Sequence, residues 1–357
     1  MITPMQSRGF SLARGFIVFV MPAVHSVMLY SSDEVKQGWL GSILGFLAEG
    51  PGAQLFMFLM GIFIVLGRPK TTRQIVGRCL LIGGLGYLLN LLRLVIPYYL
   101  HLLPENYIVS LAIGPESPVG WQLLMIGDIL QFAAVAYLFC ALLSKYSTDV
   151  IMIMAITILV WWMSPYTWEL NSGSGSGLSR LLTGVPPKAF FPVFPWVFFP
   201  MLGLVFGRLQ QLKSPRIFLV TMITTGILLI LLGRFLALKE PVEWNTNFYR
   251  QGRGGTLLHS GIALLWTSLF IGFAHLKTSN LFFKLLEFVS KHITIIYVLQ
   301  WIIIMWMFQL FGYNQLSLLP SLFAVFVTSS LSFSIAWLLA KKSSLKKHSY
   351  ETRDKNL

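Results

Sequence analysis

Four ionisable side chains stand inside apolar segments of this chain: His25, Arg93, Asp128 and His259. Ionisable groups are costly inside a lipid bilayer, so they usually face a functional cavity. The imidazole of His25 can accept or donate a proton near neutral pH. A carboxylate such as Asp128 beside it would hold its tautomer and raise its basicity. These residue types indicate acid–base chemistry, with His25 as the base.

Each of these residues also has a structural interpretation. His25 follows Pro22, which frees a backbone carbonyl that an imidazole can bind. Arg93 and Asp128 could form a purely structural ion pair, and His259 could anchor its segment at the membrane interface. The sequence leaves these alternatives open.

The elements that position these residues are membrane-spanning helices. The 357 residues are 55% hydrophobic and only 11% charged, against roughly 25% charged in an average soluble domain. A bilayer core needs roughly 20 apolar residues per helix. This rule predicts an all-α, polytopic membrane helix bundle of about ten spans, near residues 11–31, 50–67, 77–100, 121–143, 149–165, 190–207, 216–236, 257–276, 293–311 and 317–340.

The net charge of +14 is concentrated in alternate loops, which fall on one side of the membrane if the number of spans is even. The positive-inside rule makes that side cytoplasmic and places both termini there. We therefore divide the chain into a membrane domain, 1–340, and a basic cytoplasmic tail, 341–357. The basic excess indicates topology and contact with the lipid bilayer, and no basic–aromatic pattern favours nucleic acid.

Depth along the helices brings the ionisable residues together. Span one runs outward, so His25 lies roughly 16 Å beyond Arg14 at 1.5 Å per residue. Span three places Asn90 and Arg93 in its outer third, and span four, running inward from residue 121, places Asp128 and Gln131 at a similar level. The sequence therefore predicts convergence in the outer half of the bilayer, with His259 as a further candidate.

Several patches resemble the transmembrane acyltransferase superfamily, which includes acyltransferase family 3 and the heparan-α-glucosaminide N-acetyltransferase group. Arg14-Gly15, followed by His25, resembles the first helix of that superfamily. Four further segments resemble its later motifs: 53–61 (AQLFMFLMG), 127–131 (GDILQ), 191–196 (FPVFPW) and 291–300 (KHITIIYVLQ). Their order along the chain agrees with the resemblance.

The resemblance implies an enzyme that transfers an acyl group, in the first instance acetyl, from cytoplasmic acetyl-CoA to a hydroxyl or amine of an extracytoplasmic carbohydrate. We expect no metal cofactor. His25 would be the base or form a transient acyl-imidazole, and Asp128 would orient it. Arg93 or Asn90 would stabilise the oxyanion. The cations that would bind the CoA phosphates are Arg14, Arg68, Arg73 and Arg78. The polar residues that would contact the acceptor are Asn90, Gln131 and His259.

The chain also departs from the superfamily. No Asp shortly precedes Arg14-Gly15, and Arg73 and Arg78 are too far apart for the Arg-x-x-Arg motif of acyltransferase family 3, so the subfamily stays open. Two rival functions remain: a proton-coupled transporter of a small molecule or lipid-linked glycan, with His25 and Asp128 as its relay, and a non-catalytic partner of an envelope-polysaccharide machine. We expect a bacterial plasma membrane, and the oligomeric state stays open, a homodimer included.

Overall fold

The computed structural model describes residues 3–115, 117–169, 178–244, 247–276 and 280–354, and the regular secondary structure of this part is helical. Within it, nine helices are long and apolar enough to cross a bilayer, and one sharply bent pair is the candidate tenth span. These findings confirm the predicted all-α membrane bundle of about ten spans. The helices are α1 Pro4–Tyr30, α2 Trp39–Leu66, α3 Thr72–Tyr99, α4 Ile129–Tyr146, α5 Val150–Trp168, α6 Val193–Leu212, α7 Pro215–Ala237, α8 Arg253–His275, the bent pair α9 Leu281–Lys291 and α10 Ile293–Trp306, and α11 Leu318–Asp354.

Shorter helices connect the spans. They are Asp33–Gln37, Glu105–Ser110, Val119–Leu124, Leu178–Thr183 and Phe308–Phe311, together with two 3₁₀ turns, Val242–Trp244 and Phe248–Arg250. Of the predicted basic tail, the backbone is helical as far as Asp354, and residues 355–357 lie outside the described part.

Local sequence signals fix where several spans begin. Thr3 caps α1 and Thr71 caps α3, each in a capping box with a glutamine three residues later. In this motif two backbone N–H groups that have no partner within the helix are satisfied reciprocally. Asp128 and Gln131 form the same box at the start of α4.

This third box corrects the predicted fourth span. The span does not begin near residue 121, because Val119–Leu124 is a separate short helix and α4 starts at Ile129. Asp128 is consequently the residue that caps α4 rather than a residue within it. The Asp-x-x-Gln pattern is an N-terminal signature, so the sequence did contain the signal.

The second span also differs from its prediction. It starts at Trp39, eleven positions before residue 50, and is interrupted by a π-helical segment, Ala48–Gly52. A second π-helical segment, Leu91–Val95, interrupts α3. Pro51 lies in the first segment and cannot donate a backbone hydrogen bond, which accounts for the break there. Such bulges occur often at functional sites.

Glycines allow close contacts between several spans. A Cβ atom at Gly61 of α2 would meet the backbone of Pro200 and lie 2.9 Å from Cα of Gly203 in α6. Gly233 of α7 and Gly254 of α8 are in similar mutual contact. Small residues let membrane helices approach and gain van der Waals contact. These contacts fix the helices that surround α1.

The centre of the bundle lies around α1. Phe10 and Leu12 of α1 are fully buried against Leu55 and Phe58 of α2 and against Leu264 of α8. Farther along α1, Gly15 lies against the backbone of α9 at Leu286. The bent pair turns by 86° between Lys291 and Ile293, and α10 then runs beside α1. Helix α1 therefore carries its residues along the inside of the bundle.

Candidate active site

One large cavity of about 1140 Å³ lies inside the bundle. Ordinary small-molecule pockets measure about 300–1,000 Å³, so this cavity has room for a long ligand. Helices α1, α2, α3, α4, α9 and α10 contribute to its wall, together with residues 186, 187, 190 and 191 and the turn at Phe248 and Tyr249.

One end of the cavity is basic. Arg14, Lys70, Arg78 and Lys291 line it. They come from the early part of α1, the loop before α3, the early part of α3 and the end of α9. Arg14 connects two of these elements, because its Nε donates to Ser290 Oγ at 3.1 Å and its guanidinium lies 4.8 Å from the ring centroid of Phe63. Cations gathered in this way suit a phosphorylated ligand.

Only two of the four arginines that the resemblance assigned to CoA line the cavity. Arg14 and Arg78 do so, whereas Arg68 and Arg73 are exposed and are not among its described lining residues. Lys70 and Lys291 line it as well, although neither was predicted to bind CoA. The sequence showed the charge of these lysines but not the direction in which they point.

Deeper in the cavity, Arg93 and Asp128 form a buried ion pair. Arg93 Nη2 donates to Asp128 Oδ2 at 2.6 Å and to Asn90 Oδ1 at 3.0 Å. The side chains of the pair are 5% and 10% exposed. Asn90 Nδ2 donates to the carbonyls of Leu124 and Ile126 at 3.0 and 2.7 Å, so the chain segment before α4 is connected to α3. The second carboxylate oxygen, Oδ1, accepts from the backbone N–H of Ile129.

His25 lies at the same part of the wall. Its ring stacks on Trp301 with centroids 4.2 Å apart and planes 30° apart, and Arg93 Cζ lies 4.5 Å from the centroid of the same indole. His25 Nδ1 is enclosed and has no hydrogen-bond partner among the described residues. The predicted contact of Asp128 with the imidazole is therefore not formed here, because Asp128 binds Arg93 and caps α4.

Aromatic residues close the end away from the cations. Phe190, Phe248, Tyr107 and Tyr249 line the cavity there. Burial raises the pKa of Tyr249, and the negative charges of Asp128 and Glu49 raise it further. Burial also raises the pKa of Tyr107. Both phenols therefore keep their protons at neutral pH and can donate hydrogen bonds.

A comparison with known families identifies the family of the chain. Residues 9–238, more than half of the chain, match the family described as "Heparan-alpha-glucosaminide N-acetyltransferase, catalytic". The chain belongs to this family. No individual curated protein matches it. The matched region contains His25, Arg93 and Asp128, and the membership confirms the resemblance.

As a member of this acetyltransferase family with nine to ten candidate spans, the chain is an integral membrane protein. Helices α8 to α11 follow the matched region, and they include α10 with Tyr297 and Trp301. These two side chains are four positions apart on one helix face, and both line the cavity. Neither residue was predicted to belong to the site, although they lie in and just after the 291–300 motif.

None of the three predicted acceptor contacts lines the cavity of this acetyltransferase. Asn90, Gln131 and His259 are not among its described lining residues, and the Asn90 side chain instead binds Arg93 and the carbonyls of Leu124 and Ile126. His259 Nδ1 is within 3.0 Å of Gln251 Oε1 and 2.8 Å of the Gly255 carbonyl oxygen, and Gln131 Oε1 accepts from the backbone N–H of Asp128. Depth alone placed them at the right level, but the direction of each side chain around its helix takes it elsewhere.

Proposed function

We propose that this protein transfers an acyl group from cytoplasmic acyl-CoA to a hydroxyl or amine of an extracytoplasmic carbohydrate. The acyl group would in the first instance be acetyl. The protein would lie in a bacterial plasma membrane, with both termini in the cytoplasm. The observation that carries the proposal is that one cavity has basic side chains at one end and His25 farther along α1. Family membership supports acetyl as the group transferred.

The donor would enter from the basic end. Arg14, Lys70, Arg78 and Lys291 would bind the CoA phosphates, because charge-assisted contacts to phosphate are strong and do not require an enclosed site. The eleven positions from Arg14 to His25 correspond to roughly 16 Å of helix. The extended pantetheine arm would span this distance and present the thioester to the imidazole.

His25 would act as the general base. Because Nδ1 is enclosed, Nε2 would accept the proton of the acceptor hydroxyl or amine as the acceptor attacks the thioester carbonyl. Arg93 would stabilise the oxyanion of the tetrahedral intermediate. When the C–S bond breaks, the imidazolium would return its proton to the CoA thiolate, so that free CoA leaves by the basic end. A transient acyl-imidazole is the alternative route.

Transfer of radiolabelled acetyl from acetyl-CoA by purified protein in lipid nanodiscs tests the proposal. The variants are His25→Ala and, as a matched control, His275→Ala, which removes an exposed histidine outside the described cavity wall. We expect His25→Ala to lose about 10²–10⁴-fold in transfer rate, the usual contribution of a general base, while acetyl-CoA binding and the control stay unchanged.

Full activity of His25→Ala would contradict the role of His25. Absence of both acetyl-CoA binding and thioester cleavage in the wild type, across several sugar acceptors, would contradict the acyltransferase. Uptake of a solute driven by a proton gradient, without thioester cleavage, would favour the transporter instead.

A further inference from the structure

Glu49, like Arg93, is a charged residue within a π-helical segment of the membrane domain. It lies ten positions after Trp39, the first residue of α2, or about 15 Å along the helix axis, within the segment Ala48–Gly52. Arg93 lies in the other π-helical segment, Leu91–Val95. Both side chains line the same cavity. An ionisable residue at such a position generally marks a functional site.

The carboxylate of Glu49 has no ion pair and no hydrogen bond among the described residues. Gln54 Nε2 donates to its backbone carbonyl at 2.9 Å, and this contact leaves the side chain free. Asp128 differs, because Arg93 neutralises it. An unpaired carboxylate in a membrane needs water or a ligand around it, and Glu49 is exposed to the cavity.

Glu49 belongs to the end of the cavity that contains the acid–base residues. Glu49 lines the same cavity as Asp128 and Tyr249, and the charge of each carboxylate acts on the Tyr249 phenol. A negative charge there repels the phosphates of CoA, so the polyanionic part of the donor is an unsuitable ligand for it. A carboxylate accepts hydrogen bonds and donates none, so its ligand must present O–H or N–H groups.

We propose that Glu49 recognises the acceptor: its carboxylate accepts hydrogen bonds from the O–H or N–H groups of a sugar ring. The apolar C–H face of that ring packs on the aromatic side chains of Phe248 and Tyr249 at the same end. This inference rests on the proposed function for the identity of the acceptor. It assigns a specificity-determining role to a residue of α2 that neither the family match nor the sequence motifs single out.

The strength of the contact follows from the charge. Hydrogen bonds to an ionised acceptor are roughly twice as strong as neutral ones. Glu49→Gln keeps the shape of the side chain and removes the charge, so it should weaken acceptor binding without opening the cavity. Glu49→Asp keeps the charge and withdraws it by one methylene, so it should retain part of the binding.

The experiment uses full-length protein in nanodiscs with two probe sugars, glucosamine and methyl β-glucoside, which present an amine and a hydroxyl at the same ring position. The control is Glu34→Gln, which removes an exposed carboxylate on Asp33–Gln37, away from the described cavity wall. The acceptor KM in acetyl transfer, acetyl-CoA binding by equilibrium dialysis and sugar binding by ligand-observed NMR are measured for each variant.

We expect Glu49→Gln to raise the acceptor KM, or weaken sugar binding, by about tenfold or more, equivalent to about 1.4 kcal/mol. Acetyl-CoA binding by Glu49→Gln should stay at the wild-type value, and the Glu34→Gln control should bind both ligands like the wild type. The sugar affinity of Glu49→Asp should lie between those of the wild type and Glu49→Gln. A larger effect on glucosamine than on the glucoside would identify the amine as the group bound, and equal effects would identify the ring hydroxyls.

Unchanged sugar binding in Glu49→Gln would overturn the inference, as would a wild type that binds neither sugar. An equal loss of acetyl-CoA binding would do so too, because it would show that Glu49 maintains the cavity rather than recognising the acceptor. If the wild type binds sugar through Glu49 but transfers no acetyl group, the proposed function fails and the role of Glu49 stands.

Discussion

At the scale of single residues, the buried pair of Arg93 and Asp128 has a large energetic consequence. It is almost fully removed from solvent, where two opposite charges compensate each other's desolvation. Removing one partner of such a pair leaves an uncompensated charge, at a cost of about 3–5 kcal/mol. The pair also holds Arg93 against Trp301 and therefore near His25. Stability and site geometry are thus connected through one contact.

We expect Asp128→Asn to lower the free energy of unfolding by about 3 kcal/mol and to reduce acetyl transfer. Asparagine is as good a helix N-cap as aspartate, so the substitution tests the charge rather than the cap of α4. The measurement is thermal unfolding in detergent micelles, together with the transfer assay.

The matched control for this prediction is Glu287→Gln, which breaks the 2.8 Å pair of Glu287 with Arg8. That pair is partly exposed, so its loss should change stability by about 0–1 kcal/mol. Equal effects of the two substitutions would show that the Arg93–Asp128 pair contributes no more than a surface ion pair.

At the scale of elements, the close contact between α2 and α6 depends on two glycines, Gly61 and Gly203, which have no side chain to hold the helices apart. A Cβ atom at Gly203 would meet the carbonyl of Phe58 and lie 3.0 Å from Cα of Gly61. In lipid, helix association relies on close van der Waals contact, because apolar burial adds no drive between helices. Helix α2 also carries Glu49, so its position against α6 determines where that carboxylate enters the cavity.

Gly203→Ala should therefore destabilise the protein by about 1–3 kcal/mol, the usual cost of overpacking. The control is Gly77→Ala in α3, where nothing lies within 4 Å of the added Cβ. There the higher helix propensity of alanine predicts a gain of about 0.5–1 kcal/mol. Opposite signs in detergent unfolding experiments would support the contact, and a stabilising Gly203→Ala would refute it.

At the scale of the whole molecule, the cavity connects cations from several helices with acid–base residues farther along them. Two arginines of α3 test whether its basic end binds the donor. Arg78 lines the cavity and Arg73 does not. The two are five positions apart, a rotation of roughly 140° around a helix of 3.6 residues per turn. Both are exposed and both were predicted to bind CoA, so they form a matched pair.

Arg78→Gln should weaken acetyl-CoA binding by about tenfold, since a hydrogen bond to a charged group contributes about 1.5–3 kcal/mol. It should also reduce the dependence of binding on ionic strength, because one exposed charge contact is lost. Arg73→Gln should leave the Kd near the wild-type value. Isothermal titration in nanodiscs at two salt concentrations measures both effects, and a larger loss in Arg73→Gln would place the donor elsewhere.

Composition and hydrophobic length determined the membrane class and the approximate number of spans. They could do so because a bilayer imposes one length rule on every helix. The Arg14-Gly15 motif followed by His25, together with the later segments, resembled the family that the comparison then matched, and such motifs are visible because each lies on a short continuous stretch of the chain. The beginning of α4 was within reach of the sequence as well, in the capping pattern of Asp128 and Gln131.

The tertiary structure decided which side chains meet. Sequence depth placed His25, Arg93, Asp128, His259 and Gln131 at one level, yet depth carries no information on the direction of a side chain around its helix. The structure brings the first three to the cavity and turns the last two away from it. It adds Trp301 and Glu49, because long-range packing decides which helix faces meet at the cavity and no local periodicity records that packing.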